Sequence, residues 1–428
     1  MDTIQAILNS MLREAISPQT AAVAIAAIGL NVHFGFTGLL NIGQSGFMLL
    51  GAYGFAISIG HGLPLIVGVL LGFAAALVFA LVLGAPTLKL RGDYLAIVTI
   101  SAAEIIRYVG RSALLTDFTG AAQGLQGVSY RTPFTNLSFF GDGDSTLSPF
   151  NIYDIAGGAV WVRLVGWLAL AACIAGIVLL VKAGRARPTV ARRASRDAGG
   201  RLTPAAGTES RADLGADARQ VTAVSAPVRR MGIGALIALS VFLLFFLMPT
   251  SYQDTGVSGW WVRFVAWLLV AVCLLVVYLL VRSPWGRLLR GIREDEDAIR
   301  SLGKNVFAIK MQALIIGGLF GALGGMLYVL PASVQPDSMG RSLTFFCYTA
   351  LLLGGAATIF GPVLGAVIFY AARIMIKGVA NAYIPDSIMN GQQTEQFSFI
   401  VVGVALMLIV IFRPQGILGN KRELRFNV

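Results

Sequence analysis

Apolar residues in this chain run in long unbroken blocks, and charged residues gather between them. Blocks of about 18 or more apolar residues have the length a helix needs to cross a bilayer. Because the blocks are continuous rather than alternating, helices are favoured over a barrel of strands. The pattern predicts spans at 19–34, 36–59, 63–84, 93–111, 160–181, 231–249, 261–281, 310–330, 343–359, 362–381 and 396–412. The first two are interrupted by glycines and polar residues. The expected fold is all-α: a polytopic membrane helical bundle of about 10–11 transmembrane helices.

Composition agrees. Apolar residues make up 56% of the 428 and charged residues 13%, where soluble proteins carry about 25% charged. Fifty glycines suit close helix packing in lipid. The net charge of +12 invites a nucleic-acid partner, but its distribution argues against one. Residues 185–230 hold ten Arg against four acidic residues, and 282–310 hold seven basic against four acidic. The tail carries Arg413, Lys421, Arg422 and Arg425 against Glu423. The 112–158 loop is acidic instead, with Asp117, Asp142, Asp144 and Asp154 against Arg131. Such asymmetry orients a membrane protein, so the basic loops and C-terminal tail are expected in the cytoplasm. Eleven crossings would then leave the N-terminus outside. Met1–Ile16 has no clean apolar core for a cleaved signal and reads as a short amphipathic helix on the membrane surface.

One apolar helix has a near copy. WVRLVGWLALAACIAGIVLLVK at 161–182 and WVRFVAWLLVAVCLLVVYLLVR at 261–282 match at eleven of 22 positions. A local duplication explains the shared Trp, Arg, Trp and Cys; convergent anchoring by Trp and Arg at the headgroups is the alternative. Between the copies, 183–230 is rich in Arg, Ala, Gly, Thr and Asp. It is expected to be a disordered basic insert in the cytoplasm. The chain thus divides into membrane helices at 1–182, the insert, and membrane helices at 231–428 with a charged loop at 282–310.

Enzymatic chemistry finds little support. There is no P-loop glycine–lysine motif, no HExxH, no CxxC and no GxSxG. Cys173, Cys273 and Cys347 fall inside apolar runs and read as small buried hydrophobes. His33 and His61 read as satisfied polar residues near helix ends. No cofactor or metal is expected in this chain.

Three segments stand out. Ser283–Lys310 is a charged island between apolar runs. Pro284 breaks the preceding helix, a helix restarts from Gly286, and Asp297, Ala298 and Ile299 form a short turn that Gly303 ends. Such a helix fits the cleft of a soluble partner; a solvated loop is the alternative. In the second segment, Gly35, Gly38, Gly43 and Gly46 flank Asn41, Gln44 and Ser45. A broken helix there would present Gly38, Asn41, Gly43 and Gln44 to a zwitterionic solute, or serve helix packing instead. In the third, Arg91 and Asp93 read as a cytoplasmic turn and cap. Glu104 lies further along that helix, well inside the membrane, with Arg107 on the same face. It is either a pathway residue or a structural ion pair.

The segments at 35–57, 90–107, 283–310, LFGALGGMLYVL (319–330), LLLGGAATIFGPVLGA (351–366) and IFRPQGILG (411–419) occur in one order. Together they resemble the larger permease subunit of branched-chain amino-acid ABC importers, a family with urea and short-amide relatives. The likeness covers roughly 19–130 and 260–420. Asp297-Ala298-Ile299…Gly303 resembles a degenerate form of the Glu-Ala-Ala…Gly loop of such permeases. It implies an ATPase contact through Arg293, Glu296, Asp297, Ala298, Ile299 and Gly303. It also implies two cytoplasmic ATPase subunits that bind the ATP, a second homologous permease, an extracytoplasmic solute-binding protein, and a bacterial inner or plasma membrane. Branched-chain amino acids are the substrate it implies, with urea, short amides or other amino acids as alternatives. A stand-alone secondary transporter coupling protons through Glu104 or Asp93 is the reading from another class.

Overall fold

The helices that begin at Pro18, Pro284, Glu296 and Val306 each start on a capping side chain, that of Ser17, Ser283, Asp295 and Asn305 respectively. The computed structural model describes residues 2–89, 92–138, 165–166, 168–177, 236, 240, 260–384, 389–413 and 415–419. After α1 (Asp2–Ala15), the Ser17 hydroxyl accepts from the Thr20 N–H at 3.1 Å and Pro18 takes the first helical position. Both residue types suit a helix start. α2 (Pro18–Leu30) then runs on as a π-helical turn, Asn31–Thr37. α3 (Gln44–Gly60), α4 (Leu65–Thr87) and α5 (Gly92–Gly110) follow, then two short helices, α6 (Thr116–Thr119) and α7 (Val128–Thr135). Beyond 259 come α8 (Trp260–Arg282), α9 (Pro284–Glu294), α10 (Glu296–Ser301), α11 (Val306–Val329), α12 (Arg341–Gly354), α13 (Gly361–Tyr383) and α14 (Gly391–Phe412).

The chain forms two compact units, Met1–Ser148 with Ser251–Val428, and Pro149–Thr250. The second holds one described apolar helix, Leu168–Ile177. The 183–230 insert lies outside the described residues, as do most of the 231–249 span, ten of the 22 residues of the 160–181 span, and Arg91.

α2 is the axis of the first unit. Its residues Ala21 to Ala27 are all 0% exposed. A helix that is apolar all round must be surrounded, and α11, α13, α8 and α12 pack about it. Small residues let backbones approach: the GALGG run of α11 lies against α2 and α3, with Gly324 facing Ala22 and Ala26. Among the described residues, five helices are long and apolar enough to cross a membrane: Pro18–Thr37, Leu65–Thr87, Trp261–Arg282, Val306–Val329 and Gly361–Tyr383. The protein is an all-helical, multi-pass membrane protein.

All predicted spans outside the second unit appear as helices, with shifted ends. The span expected at 36–59 starts only at Gln44, because Gly38 takes a left-handed φ of 76° and the chain stays non-helical to Gly43. The span expected at 343–359 stops at Gly354, because Gly355 at φ 114° cannot continue it. The helix after α8 starts at Pro284 itself, not Gly286, with Ser283 as its cap.

α1 packs along α13, where Ile7 meets Gly378, and leaves Ile4 and Leu8 exposed. Its end is tied by Glu14 to Arg373 at 3.5 Å, and Arg373 and Lys377 reach Glu395 of α14 at 3.6 and 3.2 Å. The Trp261 indole donates to the Phe134 carbonyl at 3.0 Å and the Trp267 indole to that of Ile16 at 2.9 Å. These tryptophans of the repeat therefore anchor backbone inside the protein.

Candidate functional site

The charged island folds as a helical hairpin at one end of the bundle. α9 turns its Leu289 and Ile292 inward and its Arg287 and Arg290 outward. Asp295, in extended conformation, closes α9 and opens α10 by accepting from the Asp297 and Ala298 N–H groups, both at 3.0 Å. Gly303, at φ 72°, ends α10, and Asn305 caps α11 through the Ala308 N–H at 3.0 Å. Ile299 packs on Gly291, holding α10 against α9. Glu296 pairs with Lys310 of α11 and with Arg300 at 2.7 Å. Trp285 donates to the Gln312 side chain at 2.9 Å.

This leaves one face of α10 bare. Asp297, Ala298, Arg300, Ser301, Leu302, Gly303 and Lys304 are exposed, and Leu302 is 71% exposed. An exposed leucine at the tip of a charged hairpin is unlike the apolar walls of the bundle. Of the six hairpin residues named from sequence, Asp297, Ala298 and Gly303 lie on this face. Glu296 and Ile299 hold the hairpin together.

Arg293 does something the sequence did not signal. Its stem lies against Gly38 and its guanidinium donates to the Gly35 carbonyl. The two candidate segments, 283–310 and 35–46, therefore meet through one side chain.

The broken segment is fixed by a buried polar network. Asn31, His33, Asn41 and Gln44 are each 0–1% exposed. His33 Nε2 lies 3.1 Å from the Leu314 carbonyl, and its Nδ1 lies 3.0 Å from Asn41 Nδ2. That geometry fits a neutral imidazole with its proton on Nε2. Asn41 Nδ2 also donates to Gln44 Oε1 at 3.2 Å, while Asn41 Oδ1 accepts from the Gly43 N–H at 2.9 Å. Gln44 Nε2 donates to the carbonyls of Ala26 and Gly317 at 3.3 and 3.2 Å. The Tyr348 hydroxyl donates to the Asn41 carbonyl at 2.9 Å, and the Ile42 N–H donates to Thr99 Oγ1 at 3.0 Å.

Gly38, Asn41, Gly43 and Gln44 thus share one segment. Only Gly38 among them is exposed. Asn41 and Gln44 spend their amide groups on protein partners. Gln44→Leu leaves one Asn41 amide hydrogen without its acceptor and removes the second donor of two helical carbonyls, and a buried polar group left unmatched costs about 1–3 kcal/mol. The expected result is a lower melting temperature in detergent. An unchanged melting temperature with impaired uptake would instead make Gln44 a pathway residue.

Glu104 is placed elsewhere. It pairs with Arg107 at 2.8 Å, and Arg107 reaches Asp337 at 2.7 Å in the loop between α11 and α12. Arg111 approaches the same carboxylate at 3.4 Å, and the Arg341 N–H lies 3.3 Å from Glu104 Oε1. The pair belongs to a charged cluster near the C-terminal end of α5, to which the loop between α11 and α12 supplies Asp337. Asp93 lies in the first turn of α5.

A second missed feature joins the tail to α12. The Ile417 and Leu418 N–H groups donate to the Leu353 and Gly354 carbonyls at 3.1 and 3.0 Å. These are orphan acceptors at a helix end. The ordered tail motif supplies their partners.

A family model described as branched-chain amino acid transport system / permease component matches residues 13–191 and 219–411. The chain belongs to that family. Among its relatives is the high-affinity branched-chain amino acid transport system permease protein LivM of Escherichia coli, 31% identical over 159 residues, covering 37% of this chain and 34% of the relative. The probable branched-chain amino acid transport permease protein LivM of Methanocaldococcus jannaschii is 27% identical over 161 residues, covering 36% and 46%. The autoinducer 2 import system permease protein LsrC of Photorhabdus laumondii is 28% identical over 116 residues, covering 26% and 34%. The matched parts thus span between a third and a half of these relatives. No solved structure gives a significant match. The order of segments along the chain was a truer guide to this permease family than any one motif.

Proposed function

We propose that this permease is the membrane subunit of an ATP-driven importer that moves branched-chain amino acids into the cell. It pairs with a second, homologous permease and with two cytoplasmic ATPases that bind the ATP. An extracytoplasmic binding protein delivers the solute. The basic hairpin, the insert and the tail face the cytoplasm of a bacterial inner or plasma membrane, and α1 lies on the outer side. The 282–310 loop is the point where ATPase motion enters, with Arg293, Glu296, Asp297, Ala298, Ile299 and Gly303 forming or bracing the contact. The chain itself performs no covalent chemistry.

One observation carries the reading: the bare face of α10 stands on a hairpin whose Arg293 grips the broken segment at Gly35 and Gly38. A soluble partner pressing on α10 would move a helix break in the bundle core. A carrier working alone has no use for that face. The substrate class follows the names of the relatives, two of which are branched-chain amino acid permeases. The autoinducer 2 relative keeps a polar, non-amino-acid solute as the second reading.

The test is purification in mild detergent from native membranes, followed by reconstitution into liposomes. Co-purification of an ATPase and a second permease, with ATP-dependent uptake of labelled leucine, is expected. Uptake that persists without any ATPase would return the chain to the stand-alone class. ATP-dependent uptake that excludes leucine, isoleucine and valine would leave the class intact and change the substrate.

A further inference from the structure

The π-helical turn Asn31–Thr37 is held at two places, and the holds belong to different parts of the bundle. From one side, Arg293 of the hairpin donates to the Gly35 carbonyl. From the other, the Asn31 carboxamide clasps the turn between α12 and α13. Its Nδ2 donates to the Thr358 carbonyl at 2.7 Å, and its Oδ1 accepts from the Ala357 N–H at 2.9 Å. Both bonds reach across more than three hundred residues of sequence.

Gly35 is where the two holds meet. A Cβ there would overlap the Asn31 side-chain oxygen and come within 2.7 Å of the Ala357 nitrogen. Only a residue without a side chain lets the three elements approach this closely. Ala357 itself has φ 62°, a left-handed conformation that alanine rarely takes. Such outliers persist where surroundings over-determine them, and the Asn31 clasp supplies that constraint. The clasped turn is stiff. The Thr358 hydroxyl donates to the Gly355 carbonyl at 2.7 Å and accepts from the Gly361 N–H at 3.0 Å. It thereby ties the last residues of α12 to the first of α13.

We infer that Asn31 is a positioning residue that relays movement of the 284–303 hairpin, through Gly35 and the π-helical turn, to the Ala357–Thr358 turn and so to α12 and α13. A π-helical turn is a fitting seat for this, since such turns are rare and frequently occur at functional sites. The relay has two arrangements. In the one seen, Asn31 clasps the turn and Ala357 is held left-handed. In the other, the π turn has shifted, the clasp is open and Ala357 relaxes. Hairpin displacement biases the choice through Arg293, which gives the physical two-state element that coupling between distant sites requires. The inference rests on the proposed coupling role of the hairpin and adds the route inward from it.

The experiment is amide hydrogen exchange on the complex purified with its ATPase subunits, nucleotide-free and trapped with ATP and vanadate. In wild type, peptides covering 284–303 and 351–361 should both change on trapping. In Asn31→Ala the hairpin peptide should still respond while the 351–361 response is lost. Uptake per ATP hydrolysed should fall roughly tenfold, within the usual range of site-to-site coupling. A purely structural role would loosen 351–361 equally with and without nucleotide and leave its response in place, which overturns the relay. So does a wild-type 351–361 peptide that ignores nucleotide while the hairpin responds. A hairpin that itself ignores nucleotide overturns the coupling reading and the relay with it. Should Asn31→Ala fail to assemble, Asn31→Ser, whose shorter side chain cannot span both bonds, makes the same comparison.

Discussion

Gly303→Val is expected to insert and assemble normally yet to lose ATP-driven uptake. The reason is conformational rather than steric. Gly303 has φ 72°, and a Cβ built on it meets nothing within 4 Å. A left-handed residue costs about 1–2 kcal/mol when it is not glycine, and a β-branched one is a true outlier. α10 has only six residues and buries none of them, so little resists that strain. The turn should reopen, freeing the Gly303 N–H from the Arg300 carbonyl at 2.9 Å and swinging Leu302 away. Uptake and ATP hydrolysis measured together in liposomes should show hydrolysis without transport. Gly303→Asn tolerates the left-handed region and should retain most uptake. Wild-type uptake in the valine variant would sink the role assigned to this hairpin.

Arg293→Ala should uncouple as well, from the other side of the hairpin. The guanidinium bond to Gly35 is charge-assisted, and such bonds contribute about 1.5–3 kcal/mol. Losing it also removes the stem that rests on Gly38. At about 1.4 kcal/mol per tenfold, uptake per ATP should drop by roughly tenfold or more. Arg293→Lys keeps the charge and loses the planar fork, so it should recover only part of the loss. Membrane content, read by immunoblot, should be near wild type because Arg293 holds up no apolar core. Equal uptake per ATP in Arg293→Ala and wild type would show that the Gly35 contact carries no motion.

The bounds of the hairpin were readable from sequence because its punctuation is local: Pro284 and Gly303 act on neighbours within a few positions, whereas the caps Ser283, Asp295 and Asn305 emerge only from the structure. The break after Thr37 was also announced by its glycines and amides. What sequence did not disclose was who answers those amides. His33 bonds to a carbonyl 281 residues on, and Asn31 to one 327 residues on. Nothing in a one-dimensional pattern ranks such partners. The Glu104–Arg107 pair was legible from its spacing of three. What the spacing did not disclose is Asp337, 230 residues from Arg107, which joins the pair. Span ends erred for a related reason. Hydropathy reports composition, whereas Gly355 ends α12 by backbone geometry inside a run that stays apolar.

The tail turn has a consequence for biogenesis. The carbonyls of Leu353 and Gly354 receive their donors from Ile417 and Leu418, which leave the ribosome only after α13 and α14 have been made. Until then the end of α12 is open, and the turn clasped by Asn31 lacks one of its walls, since Gly355 packs directly on Gly416 and Gly419. The permease is therefore finished from its C-terminal side. The clasp can close fully only once residues 415–419 have been made.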